Sequence, residues 1–121
     1  MITRTMFNEI EKSVQSKPVT LITGARQVGK STLASLFVKE RGFRYVSFDD
    51  SREREMALRD PDLFLSLHPW PLIIDEVQRA PGLFEAIEAV VNKEKLANEK
   101  NYGMYILTGS QIYKLMRGVS Q

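Results

Sequence analysis

The sequence contains no cysteine, a single histidine and a single tryptophan in 121 residues. Without cysteine there is no disulfide, thiolate metal site or sulfur nucleophile, and the composition fits a reducing cytoplasm. His68 has no second imidazole with which to make a metal site, and beside Pro69 in an apparent loop it is assigned no role. No apolar run approaches the ~20 residues that cross a bilayer. Glu9 and Glu11 occupy the place where a signal peptide would carry its apolar stretch. The chain therefore reads as soluble and cytoplasmic, with no membrane partner. A strong charge of one sign is also missing, since 17 basic against 15 acidic side chains leave only +2. That balance tolerates nucleic acid but does not argue for it.

The composition is otherwise ordinary, 43% hydrophobic and 26% charged, and the length is that of one domain. Met6, Phe7, Ile10 and Val14 recur at helical spacing, predicting an amphipathic helix over the first sixteen residues that ends before Pro18. Val19–Thr23 is a short β-branched run, read as a buried strand. A helix follows over 30–40 with Leu33, Leu36, Phe37 and Val38 inward and Gly42 as its stop. Residues 43–48 predict a second strand leading into Asp49, Asp50 and Ser51, a helix N-cap cluster. Two short helices flank Asp60-Pro61, and Pro69 and Pro71 bracket Trp70, read as a packing residue.

Leu72, Ile73 and Ile74 predict a third strand, and Leu83, Phe84, Ile87, Val90 and Val91 give one apolar face to the next helix. Met104–Leu107 predicts the fourth strand, after a turn at Asn101–Gly103, and Ile112, Leu115 and Met116 begin another helix. A helix followed by four strand-and-helix rounds argues for an α/β fold with a mostly parallel sheet covered on both faces. Ligands bind such sheets beyond the carboxyl ends of the strands. The polar residues at those ends are Gly24 to Ser31, Asp49-Asp50, Asp75-Glu76, and Thr108 to Ser110, all on one edge.

The first of these clusters, Gly24, Ala25, Arg26, Gln27, Val28, Gly29, Lys30 and Ser31, matches G-x-x-x-x-G-K-[ST] and runs on into Thr32. Glycines at both ends let successive amides point inward as a nest for phosphate, and the following helix adds its positive end. Lys30 would reach the β- and γ-phosphates of a nucleotide, and the Ser31 hydroxyl would ligate Mg²⁺. Asp75 ends an apolar strand, placed to hold Mg²⁺ directly or through water, and Glu76 beside it is the natural general base for an attacking water. Thr108 and Ser110 read either as hydroxyls facing the γ-phosphate or as a turn capping the next helix. Asp49 and Asp50 read as helix caps in preference to an acceptor-binding base. Arg26 and Arg79 are open between a phosphate or partner contact and a solvated surface.

Together with Tyr45–Asp50, Ile74–Pro81 and Ile106–Ser110, the Gly24–Ser31 run resembles a family of prokaryotic AAA-type ATPases. Its members join this ATPase core to a C-terminal domain of uncharacterised, nuclease-like function. The resemblance covers nearly the whole chain. It implies a P-loop NTPase core in which the strand bearing Thr108 separates the phosphate-loop strand from the Asp75-Glu76 strand. It implies Lys30 and Ser31 as Walker A, Asp75 and Glu76 as Walker B, and Thr108 or Ser110 as sensor. ATP and Mg²⁺ are the implied ligands, and the lack of an N-K-x-D guanine motif agrees with ATP.

Family members continue past the point where this sequence stops, with an arginine that is a candidate finger, a fifth strand and the C-terminal domain. The resemblance therefore implies that residues 1–121 are the N-terminal part of the ATPase domain, with the strand at Val19–Thr23 left at the sheet edge. The expectation is an ATP-binding core of a larger protein that hydrolyses ATP, with a homo-oligomer and a protein partner through the absent domain also compatible. Two alternatives stand beside it: a non-hydrolysing nucleotide-binding assembly module, and a small-molecule kinase using Asp49 or Asp50.

Overall fold

Apolar residues three and four apart wind the first helix, α1 (Arg4–Ser16), whose Ile10 and Val14 are buried, and Pro18 prevents its continuation. The computed structural model describes residues 4–23, 30–98 and 100–109. Strand β1 (Val19–Thr23) leads toward α2 (Lys30–Arg41), which closes with Lys39 and Arg41 in its last turn, where cations offset the helix dipole. Gly42 follows at φ +72°, the left-handed stop that its position after the helix predicts. Strand β2 (Arg44–Ser47) is shorter at both ends than its apolar run suggests.

Asp50 caps α3 (Ser51–Arg59), its carboxylate accepting from the Arg52 amide at 3.0 Å. Asp60 ends α3 with its amide bonded to the Met56 carbonyl and starts α4 (Pro61–Leu67) by accepting from the Leu63 amide at 3.1 Å. Pro61 at the first helical position needs no amide there, so the break is sharp. Strand β3 (Leu72–Asp75), a 3-10 turn (Val77–Arg79), α5 (Leu83–Ala97) and β4 (Tyr105–Gly109) complete the order. Buried Asn101 donates to the Val91 carbonyl at 3.1 Å and holds the turn into β4 against α5.

The four strands form one parallel sheet in the order β1-β4-β3-β2. The strand carrying Thr108 thus separates β1 from β3, as the family resemblance implies, and β1 is an edge of the described sheet. Alternation along β3 and β4 divides the core in two. Leu72, Ile74, Tyr105 and Leu107 join a cluster with residues of α3, α4 and α5, whereas Ile73 and Ile106 pack with Ile10 and Val14 of α1 and Leu33 and Phe37 of α2. Helices therefore cover both faces.

Several expectations need correction. Val38 is 40% exposed, since at 3.6 residues per turn it lies about 140° around the helix from Leu33. Leu21 is also 40% exposed, because β1 sits at the edge and is covered less fully than β3 or β4. Trp70, read as a packing residue, is 38% exposed and so packs only in part. Thr108 lies within β4 and not after it. The helix expected from Ile112 lies outside the described residues, and none of the described helices is long and apolar enough to cross a membrane.

Candidate functional site at the carboxyl ends of the strands

Register carries Asp75 to the end of β3 opposite Ser47 of β2 and beside β4. Side chains two apart share a sheet face, so Asp75 continues the face of Ile73, and Thr108 that of Ile106. That is the face covered by α1 and α2. Lys30, Ser31 and Thr32 open α2, with Thr32 exposed, while residues 24–29 and Ser110 lie outside the described residues.

Thr108 is buried, and its hydroxyl donates to Asp75 Oδ1 at 2.5 Å. The other carboxylate oxygen faces Tyr45 Oη at 3.3 Å and Ser47 Oγ at 3.4 Å. Ser47 in turn accepts from the Asp49 amide at 3.1 Å, which ties the chain leaving β2 to the same carboxylate. Partial burial first, and then the Asp75 charge, raises the Tyr45 phenol above its ordinary value of 10.0. The phenol thus keeps its proton and remains a donor.

Glu76 is 5% exposed and adopts the left-handed conformation, φ 57° and ψ 44°. A non-glycine residue there is strained by roughly 1–3 kcal/mol, a cost that clusters at functional positions. The conformation ends β3 and starts the 3-10 turn, in which the Arg79 amide donates to the Glu76 carbonyl at 3.1 Å. Gln78 Nε2 donates to Glu76 Oε1 at 2.7 Å. Carboxylate oxygens of Asp49, Asp75 and Glu76 all lie within 4.8 Å of one another. Like charges this close are mutually destabilising and favour a cation among them. Arg79 Nη1, 3.6 Å from Asp49 Oδ1, offsets part of that charge at the exposed side. Hard oxygen donors of this kind suit Mg²⁺, which commonly takes one or two carboxylates.

Asp75, Glu76 and Thr108 are brought together as their spacing suggests. Asp49 and Asp50 separate in role: Asp50 caps α3, whereas Asp49 joins the carboxylate group and pairs with Arg79. Tyr45, Ser47, Gln78 and Gly109 fall within the segments that carry the family resemblance but have no individual role legible in the sequence. The alternation of Tyr45 and Ser47 around the buried Val46, which puts both on the face opposite it, is the signal that β2 carries for them. His68 bonds through Nδ1 to the Phe64 carbonyl at 2.9 Å and stacks on the Phe64 ring, away from this edge.

The sequence profile of a family described as an AAA domain matches residues 16–121. Over 85 residues the chain is 35% identical to an uncharacterized protein of Mycobacterium tuberculosis and to one of Mycobacterium bovis. Each match covers 69% of this chain and 19% of the relative, so the chain spans about a fifth of the length of those curated relatives.

Proposed function

The chain belongs to the AAA domain family, and from that premise we propose that it binds ATP and hydrolyses it with Mg²⁺, as the nucleotide-driven core of a larger protein. In this reading residues Gly24 to Thr32 and Ser110 bind the nucleotide, with Lys30 at the β- and γ-phosphates. Ser31 and Asp75 would hold Mg²⁺, which supplies charge neutralisation of the phosphate oxygens when bound. The observation that carries the reading is the Thr108–Asp75 hydrogen bond on the sheet face that α2 covers.

The chain's own residues divide the work. Glu76 accepts a proton from water, the water oxygen bonds to the γ-phosphorus, and the bond to the β-phosphate oxygen breaks to leave ADP and phosphate. Thr108 fixes the Asp75 carboxylate through one oxygen, so that its orientation is set before ligand arrives. The kinase alternative is weakened because Asp50 is engaged as a helix cap and Asp49 faces Arg79. Residues 1–121 would form the N-terminal part of the ATPase domain, and the soluble, cytoplasmic setting and any homo-oligomer or protein partner belong to the same proposal.

The test is phosphate release and thermal stabilisation by ATP-Mg²⁺, on this chain and on the longest form that its gene encodes. Lys30→Ala should abolish both responses, and Glu76→Gln should retain binding while hydrolysis falls about 100-fold or more. ATP binding unchanged by Lys30→Ala overturns the site assignment. Nucleotide-dependent stabilisation with no phosphate release from the longest form overturns hydrolysis in favour of a binding module.

A further inference from the structure

Gln78 lies in the 3-10 turn between Glu76 and β4, with the two ends of its carboxamide in different surroundings. Nε2 donates to Glu76 Oε1 at 2.7 Å. Oε1 is buried and has no hydrogen-bond partner among the described residues. It lies against Gly109, where an added Cβ would overlap Oε1 and come within 3.1 Å of Gln78 Cδ. A side chain that merely filled this space would do so better without an unmatched buried acceptor. The donor end is therefore what the position uses, and the bare α-carbon of Gly109 is what admits it.

We propose that Gln78 is a positioning residue: its carboxamide, seated on Gly109, holds the Glu76 carboxylate in the orientation that receives the proton of water and couples that orientation to the end of β4. The proposal rests on the reading of Glu76 as general base. A glutamate side chain has several rotatable bonds, and proton transfer requires its oxygen within hydrogen-bond reach of the water. One amide bond to the carboxylate and a fixed left-handed backbone at its root remove most of that freedom. Because Gly109 directly follows Thr108, the strand that touches Asp75 through its hydroxyl also sets the seat of Gln78. The metal-side and water-side carboxylates are thus registered on one strand.

The test is steady-state ATP hydrolysis by the longest form of the protein carrying Gln78→Ala, Gln78→Glu, Gly109→Ala or Gln78→Ala with Gly109→Ala. Each single change should lower kcat about tenfold with KM within about twofold, since orientation and not phosphate binding is lost. Gln78→Glu matches glutamine in size but replaces the donor by a carboxylate facing Glu76, so its loss should be at least that of Gln78→Ala. Among the described residues the Gly109→Ala methyl overlaps only the end of a flexible side chain, with the Val77 amide nitrogen at an ordinary 3.7 Å, so it displaces the carboxamide and leaves the strand in place. The double variant should then be no slower than Gly109→Ala alone. Wild-type kcat in Gln78→Ala, a loss confined to KM, or additive losses in the double variant overturn the proposal. Should Glu76→Gln hydrolyse ATP normally, it is the assignment of the base that fails. Should Glu76→Gln be inactive while Gln78→Ala is unimpaired, the positioning role alone fails.

Discussion

The Thr108 hydroxyl donates to Asp75 Oδ1 at 2.5 Å, joining β4 to β3 at the edge where the candidate site lies. Asp75 Oδ2 meets Tyr45 and Ser47 of β2, so residues of two flanking strands restrain one carboxylate. Thr108→Val keeps the shape and removes the donor. It should lower ATP turnover about tenfold and destabilise the fold by about 1 kcal/mol. Thr108→Ser should recover most of both, as measured by phosphate release and urea unfolding.

The carboxylate group of Asp49, Asp75 and Glu76 makes a prediction about Mg²⁺. Asp75 is the half-buried member with three hydroxyl neighbours, whereas Asp49 is exposed and faces Arg79. Asp75→Asn should raise the Mg²⁺ concentration for half-maximal ATPase activity about tenfold or more, and Asp49→Asn by much less. A magnesium titration at saturating ATP measures the difference.

Asp60 serves two helices, closing α3 through its amide and opening α4 through its carboxylate. Asp60→Ala should cost about 1 kcal/mol by removing the second function alone. Asp62→Ala, exposed and in the first turn of α4, should cost only a few tenths of that through the helix dipole. Urea denaturation of the two variants distinguishes a lost cap from a lost surface charge.

Alkaline stability should depend on Tyr105. Burial pushes its phenol from 10.0 up to about 12. Across that interval the unfolded chain gives up the proton and the folded chain retains it. The contribution to stability is therefore complete below about pH 10 and is lost as pH rises through about 12. Tyr105→Phe should flatten that decline in thermal midpoint between pH 10 and 12. An unchanged slope would place the alkaline transition elsewhere.

Local chemistry made much of the architecture legible. Gly42, the Asp60-Pro61 pair and the β-branched Val19–Thr23 run mark their boundaries because caps, fixed φ angles and branched side chains act within a few residues. Asp75 and Thr108 were legible as polar residues closing apolar strands. The pairing of Ser47 with Asp75 was not, because a register between distant strands has no local trace. Nor was the left-handed Glu76, whose conformation is imposed by the turn after β3 against its own preference. Gly109 reads in sequence as part of a turn, and only packing reveals it as the seat of a glutamine. Exposure of Leu21 follows from β1 lying at an edge, a property of strand order and not of β1 itself.

Strand order also sets a timetable. The ribosome delivers β1, β2 and β3 before β4, yet β4 lies between β1 and β3 and pairs with both. Until β4 emerges, β1 has no hydrogen-bonding neighbour in this sheet, while β2 and β3 can already pair. A chain without β4 would leave an open slot beside Ile73, an arrangement vulnerable to mispairing with other chains. Insertion of β4 fills that slot and brings Thr108 to Asp75 in the same event. Assembly of the site and joining of the described strands are one step, so a nascent chain stalled before Tyr105 should be unable to hold nucleotide.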